Sequence, residues 1–234
     1  MRPVAGCLLA MLTVACDVPQ ASTPPAAARQ ILDGAYRAVR VGSEPRGRKL
    51  ELMAHASVAG PNESFHTRIH SSSEGWVRME QMPFGLVAGV GPEGEWQADP
   101  STGIVGPLGL PLSFMRGHEV HMLALAPESR LSGSRTLETA TFTGRSALAV
   151  AMSLPSGDSL VAYFSPIDTL PLGLRVTWTD PHVEVVWSGW TIRNGYRLFE
   201  DAVFTQGSDQ FRYVFDTLRV GPIPDSIFQP IVER

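Results

Sequence analysis

The chain has 234 residues and a formal net charge of −4, and 44% of its residues are hydrophobic. A weakly acidic chain without a basic run lacks the positive patch that nucleic-acid binders carry. Its two cysteines, Cys7 and Cys16, both lie near the start of the chain. The body of the protein therefore has no disulfide, no cysteine-ligated zinc and no cysteine nucleophile.

The first residues have the layout of a bacterial secretory signal. One basic residue precedes an apolar run, Val4 to Val14, which is too short to cross a bilayer that needs about twenty residues. The run ends in Val14-Ala15-Cys16, which resembles the lipobox of bacterial lipoproteins. This resemblance implies a signal peptide over residues 1–15 and a lipid attached to Cys16. The alternative is an ordinary signal peptide that is cut near Ala21.

The segment after this signal is rich in proline, alanine, serine and threonine. Such a composition buries too little apolar surface to fold alone, so residues 16–29 are predicted to form a flexible tether. The remaining residues, 30–234, are enough for one domain with a sizeable core. No internal repeat divides them.

The first elements after the tether are a helix and a run of strands. Apolar residues recur at helical spacing over Ala26–Val41, and Gly42 ends the pattern. From Lys49 to Val58 apolar and polar residues alternate, which predicts a strand with one dry face. The further strands predicted before the middle of the chain are 65–71, 76–82, 84–90 and 95–98.

The middle of the chain departs from the strand pattern. Residues 111–126 contain many leucines and methionines but few β-branched residues, which predicts a helix that is broken at Gly117. Short strands joined by tight turns then resume. They are predicted at 136–142, 147–154, 159–164, 172–179, 182–187, 196–204 and 210–220.

This pattern predicts a mostly β, α+β fold built on one large antiparallel sheet. A sheet with one apolar face must cover that face, and the chain offers only one or two helical segments to do so. The sheet is therefore expected to curve strongly around them as an incomplete barrel. Incomplete filling of such a barrel leaves a cavity for an apolar ligand.

Two short motifs, taken with the order of the elements, resemble a known family. The first motif comprises Trp96, Asp99, Pro100 and Gly103. The second, a closing Phe-x-x-Pro, is matched in part by Phe228 and Pro230, which stand one residue too close. Together they resemble the LolA/LolB-like outer-membrane lipoprotein-sorting superfamily over residues 26–234. The resemblance implies a curved, incomplete barrel that wraps helices around an apolar cavity.

Period-two alternation identifies the residues expected to face the inside of the curved sheet. On the strand 49–58 it groups Leu50 with Leu52, and elsewhere it groups Phe65 with Ile69. The predicted ligand cavity is lined by Leu50, Leu52, Phe65, Ile69, Leu148, Val150, Trp178 and Trp187.

Candidate catalytic and metal-binding motifs are weak. Gly157-Asp158-Ser159-Leu160 spells a hydrolase signature, but it lies in a predicted hairpin turn without a suitably spaced histidine. His66 and His70 are too far apart along one strand to bind a single metal ion, and both are expected to face solvent. His118 and His121 have helical ligand spacing, but solvated side chains are the favoured interpretation because no third ligand is evident. The sequence therefore predicts neither an enzyme nor a cofactor or metal site.

These features predict a protein that is anchored by an N-terminal lipid on the periplasmic face of the bacterial cell envelope, in either the inner or the outer membrane. Its predicted partners are the membrane and a lipid or lipoprotein acyl chain, with other envelope proteins as further candidates. The alternative is an interaction or sensor module of the envelope whose interior is filled. An open cavity favours the carrier, and a filled interior favours the module.

The lipid anchor is testable by one substitution. We expect Cys16→Ser to move the protein from the membrane fraction to the soluble periplasm, or to leave it as unprocessed precursor. The substitution removes the residue that would carry the acyl chains, and stable anchoring needs about two of them. Cys7→Ser is the matched control and should stay in the membrane fraction. A mature N-terminus at Ala21 without lipid, measured by mass spectrometry, contradicts the prediction.

Overall fold

The computed structural model describes residues 25–42, 49–99, 101–109, 112–154, 157–177, 179 and 182–230. The predicted signal peptide, Cys16, Trp178 and most of the predicted tether lie outside these ranges. Three α-helices are present in the described residues: α1 (Pro25–Val39), α2 (Leu112–His118) and α3 (Val120–Leu125). Residues 25–29, which were predicted to belong to the tether, form the first turns of α1.

Strands make up most of the remaining structure, as the alternating pattern predicts. They are β1 (Glu51–Ala59), β2 (Ser64–Ser72), β3 (Val77–Met82), β4 (Leu86–Gly91), β5 (Gly94–Ala98), β6 (Val105–Gly106), β7 (Ser132–Phe142), β8 (Arg145–Ser153), β9 (Ser159–Phe164), β10 (Pro171–Val176), β11 (Val183–Arg193), β12 (Tyr196–Gln206) and β13 (Asp209–Val220). Only the two-residue β6 has no predicted counterpart.

The strands form one antiparallel, 13-stranded sheet in the order β6-β5-β4-β3-β2-β1-β13-β12-β11-β10-β9-β8-β7. Strands that follow each other in sequence are paired, except β6 and β7, and β1 also pairs with β13 in the middle of the sheet. The edge strands β6 and β7 do not pair with each other, so the curved sheet remains an incomplete barrel. This confirms the predicted fold class.

The main core lies on the inner face of the sheet, where the helices cover it. Ala28, Ala35 and Val39 of α1 and every residue of α3 are buried there, with α1 against β7, β8 and β12 and α3 against β1. The burial of β1 alternates over much of its length, with Leu52, Ala54 and Ala56 inward. The predicted alternation of β1 is therefore confirmed.

The crossover between the two edge strands breaks at Glu119, two residues later than predicted. Gly117 remains helical, whereas Glu119 has a non-helical backbone and separates α2 from α3. Its carboxylate is buried and accepts hydrogen bonds from Arg116, at 2.6 Å, and from Arg130, at 2.6 and 2.9 Å. The break therefore occurs where a side chain turns inward to an ionic network, and glycine is not its cause.

The same network ties the crossover to the turn between β2 and β3. Arg130 donates a 2.8 Å hydrogen bond to the carbonyl oxygen of Ser72, and Arg116 donates one of 2.8 Å to that of Gly75. Burial alone raises the pKa of the Glu119 carboxyl, but the two guanidinium groups lower it below its ordinary value. Glu119 is therefore held in its charged form inside the protein.

The C-terminal segment is clamped onto β4 and β5 by residues of the two family motifs. The Trp96 indole Nε1 donates a 3.0 Å hydrogen bond to the carbonyl oxygen of Phe228. A Cβ atom at Gly89 would lie 2.5 Å from the Trp96 ring, and one at Gly91 would lie 2.3 Å from the Phe228 oxygen. Both glycines are needed because no larger residue allows this approach.

We expect Arg130→Met to lower the free energy of unfolding by about 3–5 kcal/mol, because it removes most of the compensation of a buried carboxylate. Urea denaturation followed by circular dichroism measures this change. The matched control is Arg212→Met, which breaks an exposed pair with Asp201 and should cost at most about 1 kcal/mol. Equal losses in the two variants contradict a structural role for the Glu119 network.

Candidate functional site

A groove lies between α2 and the inner face of the sheet and has a volume of about 320 Å³. Strands from distant parts of the sequence form its walls, and α2 forms its roof. Its lining residues are Glu63, Phe65, Gln81, Phe84, Ser113, Phe114, Gly117, His118, Val176, Thr179, Val183, Phe204, Gln206, Phe211 and Tyr213. Phe84 and Phe114 are 52% and 38% exposed, so the groove opens to solvent between them.

Aromatic rings make up much of the wall. The Phe65 ring lies 5.1 Å from that of Phe84 and 6.2 Å from that of Tyr213, which in turn lies 4.5 Å from Phe204. Burial raises the pKa of the Tyr213 hydroxyl, which therefore stays neutral. These contacts give the groove an apolar wall with few polar atoms.

His118 lines the groove from the end of α2. Its Nδ1–H donates a 2.8 Å hydrogen bond to the carbonyl oxygen of Phe114, one helical turn earlier. Its ring stacks 5.7 Å from that of Phe204. Burial lowers the pKa of His118, so the imidazole adds no charge to the groove at neutral pH.

Next to the groove, the interior is filled by a stack of rings. The His121 ring lies parallel to that of Phe199 at 3.9 Å, and Phe199 is parallel to Trp187 at 5.1 Å. The Nε2–H of His121 donates a 2.9 Å hydrogen bond to the carbonyl oxygen of Phe199. Burial lowers the pKa of His121 to about 3, so it is a neutral core residue.

The prediction that His121 is solvated is therefore wrong, whereas His118 is half-buried and lines the groove. A six-residue helix that is buried all round has no solvent face, and the sequence spacing alone cannot show this. His121 is tolerated inside because its polar atom finds a backbone partner. His118 faces the groove from the end of α2.

Most of the predicted cavity residues lie in the packed core beside the groove. Leu50, Leu52, Phe65, Val150 and Trp187 belong to the main core cluster. Among them only Phe65 also lines the groove.

The remaining predicted residues are separated from these. Ile69 lies in a second cluster with Val77 and Met79, beneath β3 and β4. Leu148 is partly buried and lines a different cavity with Ile31 of α1, with a volume of about 360 Å³. The assignment of Trp178 and Cys16 stays a prediction, because both lie outside the described residues.

Sequence reasoning missed most of the groove's aromatic residues. Phe211 and Tyr213 alternate along β13 and point into the groove together with Phe204 of β12 and Phe114 of α2. The period-two spacing of Phe211, Tyr213 and Phe215 was a usable signal. Phe114 carried no such signal, because its position depends on how the crossover returns over the sheet.

The hydrolase signature lies in the hairpin between β8 and β9, as predicted. Ser159 is the first residue of β9, and its Oγ lies 2.7 Å from the Thr177 hydroxyl. No described histidine forms a hydrogen bond with Ser159. Within the described ranges no group of three or more histidine, cysteine, aspartate or glutamate residues is placed to bind a metal ion.

No described helix is both long enough and apolar enough to cross a membrane. No protein-family model and no curated protein matches this sequence. Comparison with solved structures is more informative. A LolA superfamily protein from Nitrosomonas europaea matches with a TM-score of 0.57 and 11% identity, covering 86% of this chain and 97% of that one.

The chain has a LolA-like fold. A domain from Vibrio parahaemolyticus that is described as an outer membrane lipoprotein-sorting protein matches with a TM-score of 0.55 and 11% identity, over 86% and 96% of the two chains. A DUF1329 family protein from Desulfovibrio piger matches with a TM-score of 0.53 and 14% identity, over 86% and 97%. At these identities the likeness shows the LolA-like fold, which confirms the fold implied by the sequence motifs.

The buried His121 links stability to pH. In the folded state its pKa is about 3, whereas an unfolded histidine titrates near 6.5, so acid favours the unfolded chain. We expect the wild-type free energy of unfolding to fall by about 2 kcal/mol more between pH 7 and pH 5 than that of His121→Phe. Denaturant titrations of both proteins at the two pH values measure the difference, and parallel losses contradict the prediction.

Proposed function

We propose that this protein binds an acyl chain of a lipid or lipoprotein in the groove beneath α2, while a lipid on Cys16 holds it at the periplasmic face of a bacterial membrane. The observation that carries this proposal is the solvent-open groove lined by Phe65, Phe84, Phe114, Phe204 and Tyr213. The LolA-like fold supports it, because one similar structure is described as a lipoprotein-sorting domain.

The size and chemistry of the groove suit one flexible apolar chain. Its volume of about 320 Å³ is at the lower end of the range, about 300–1,000 Å³, that is typical of small-molecule sites. Each methylene group that leaves water contributes about 0.8 kcal/mol. A short stretch of acyl chain is therefore enough for useful affinity, and the neutral His118 does not oppose its entry.

The function proposed is binding without catalysis. The hydroxyl of Ser159 lies in the β8–β9 hairpin against Thr177 and lacks a base in the described part of the chain that could accept its proton. No cofactor is part of the proposal.

A second candidate function is an interaction module of the cell envelope. The stack of Trp187, Phe199 and His121 fills much of the interior, which favours a module over a deep carrier cavity. In this case the groove receives an apolar side chain of a partner protein. The two functions differ in whether lipid is present in the purified protein.

The carrier is tested by native mass spectrometry and by binding of a fluorescent fatty acid. We expect lipid to accompany protein purified from membranes, and Phe114→Asp to weaken fatty-acid binding by about tenfold or more, because a charge at the mouth opposes an apolar chain. The side chain of Phe114 is 38% exposed, so the substitution should leave folding intact.

The matched control is Ile167→Asp. Ile167 is an apolar residue that is 94% exposed and does not line the groove, so this variant should bind fatty acid like the wild type. Absence of lipid from the purified protein, together with no fatty-acid binding, contradicts the carrier and favours the interaction module.

A further inference from the structure

The outer face of β1 and β2 carries two histidines that the groove does not use. In the register of this pair Met53 lies opposite His70, and His55 lies opposite Arg68. Met53, His55 and His70 therefore occupy neighbouring positions on the side of the sheet opposite to the inward Leu52 and Ala54. The two imidazole rings are 5.8 Å apart and nearly perpendicular, at 84°.

Each of these rings carries a buried nitrogen atom that has no hydrogen-bond partner in the described structure. The two atoms are Nε2 of His55 and Nδ1 of His70. Buried polar atoms are nearly always bonded to something, so two such atoms on adjacent side chains call for an explanation. A ligand that accepts electron pairs from imidazole nitrogens satisfies both.

A small cavity adjoins His70. It has a volume of about 110 Å³ and is lined by Met53, His70, Arg219, Gly221, Pro222, Ile223, Pro224 and Ile227. The segment after β13 thus covers His70, and the prediction that this residue faces solvent is wrong. The cavity is larger than the space of about 30 Å³ that one water molecule occupies in the liquid. It has room for an ion beside the Met53 thioether.

We propose that Met53, His55 and His70 form a binding site for a soft monovalent metal ion, copper(I). Thioether and imidazole are ligands that copper(I) prefers, whereas oxygen-seeking ions do not bind thioether well. Metal–nitrogen bonds are about 2.0–2.1 Å long, and ring centroids 5.8 Å apart are compatible with one ion that binds a nitrogen of each ring.

The charges around the pair favour a monovalent over a divalent ion. Arg68 and Arg78 lie near the two histidines, and both pair with Glu80, at 3.8 and 2.7 Å. Asp216 adds one more negative charge nearby, while Arg219 lines the cavity. The three ligands are neutral and the surroundings are not acidic, so a divalent ion gains little compensation for its second charge.

The same surroundings keep the ligands ready to bind. Burial, followed by the nearby charge of His55, lowers the pKa of His70 to about 4, and burial also lowers the pKa of His55. Burial therefore favours the neutral form of both rings, which is the form that binds a metal ion. Zinc is disfavoured because it requires four ligands in a tetrahedral arrangement and rarely uses thioether.

The test is an anaerobic titration of the full chain with copper(I) against the chelator bicinchoninate. The background carries Cys7→Ser and Cys16→Ser so that thiols do not compete. We expect one copper(I) per chain and at least a tenfold loss of affinity in His55→Ala, His70→Ala and Met53→Leu, since even outer-shell changes cost about 10–100-fold. The matched control, His66→Ala, alters an exposed histidine of the same strand and should bind like the parent.

X-ray absorption of the copper-loaded protein adds a direct readout: sulfur and nitrogen ligands in the parent, and loss of the sulfur in Met53→Leu. Met53→Leu conserves side-chain volume, so it decides the question even if an alanine variant fails to fold. Any of three results overturns the proposal. The protein retains no copper(I) against the chelator, the His55→Ala and His70→Ala variants bind copper(I) as tightly as the parent, or the protein binds zinc more tightly than copper(I).

Discussion

The buried carboxylate of Glu119 divides the crossover of this protein into two helices with different tasks. On one side α3 is buried all round and fills the middle of the curved sheet. On the other side α2 remains partly exposed and roofs the groove. Because Arg116 and Arg130 hold Glu119 and also bind the carbonyl oxygens of the β2–β3 turn, the position of both helices depends on this one charge. The break at Glu119 lets the two helices lie differently over the sheet, so that α3 fills the interior while α2 covers a groove.

Much of the fold could be predicted from local patterns, because strand alternation and turn residues are properties of neighbouring positions. The strand of Leu50 and Leu52, the helix that begins near Ala26 and the turn at Ser159 all follow from such spacing. The order of the strands could not be predicted in this way. It requires β13 to return beside β1, which is a long-range pairing that the spacing of neighbouring residues does not show.

The groove was harder to predict because it is made of long-range neighbours. Phe65, Phe204 and Tyr213 come from three strands that are far apart in sequence, and Phe114 comes from the crossover. Facing inward does not distinguish a residue that lines a space from one that fills it. Leu52 and Trp187 face inward and fill the core, whereas Phe65 faces inward and lines the groove. That difference depends on the volume of every opposing side chain.

Strand β2 shows how one short sequence can serve two surfaces. Its inward residues include Phe65, which forms part of the apolar groove, and its outward residues include His70, which meets His55 and the small cavity beneath residues 221–227. Period-two geometry makes the two faces chemically independent, because a change on one face leaves the side chains of the other in place. The C-terminal segment contacts the outer face, where it covers His70. Its end is held in place by the hydrogen bond from Trp96 to the carbonyl oxygen of Phe228. The acyl chain and the copper(I) ion that we propose would therefore contact different side chains of the same strand.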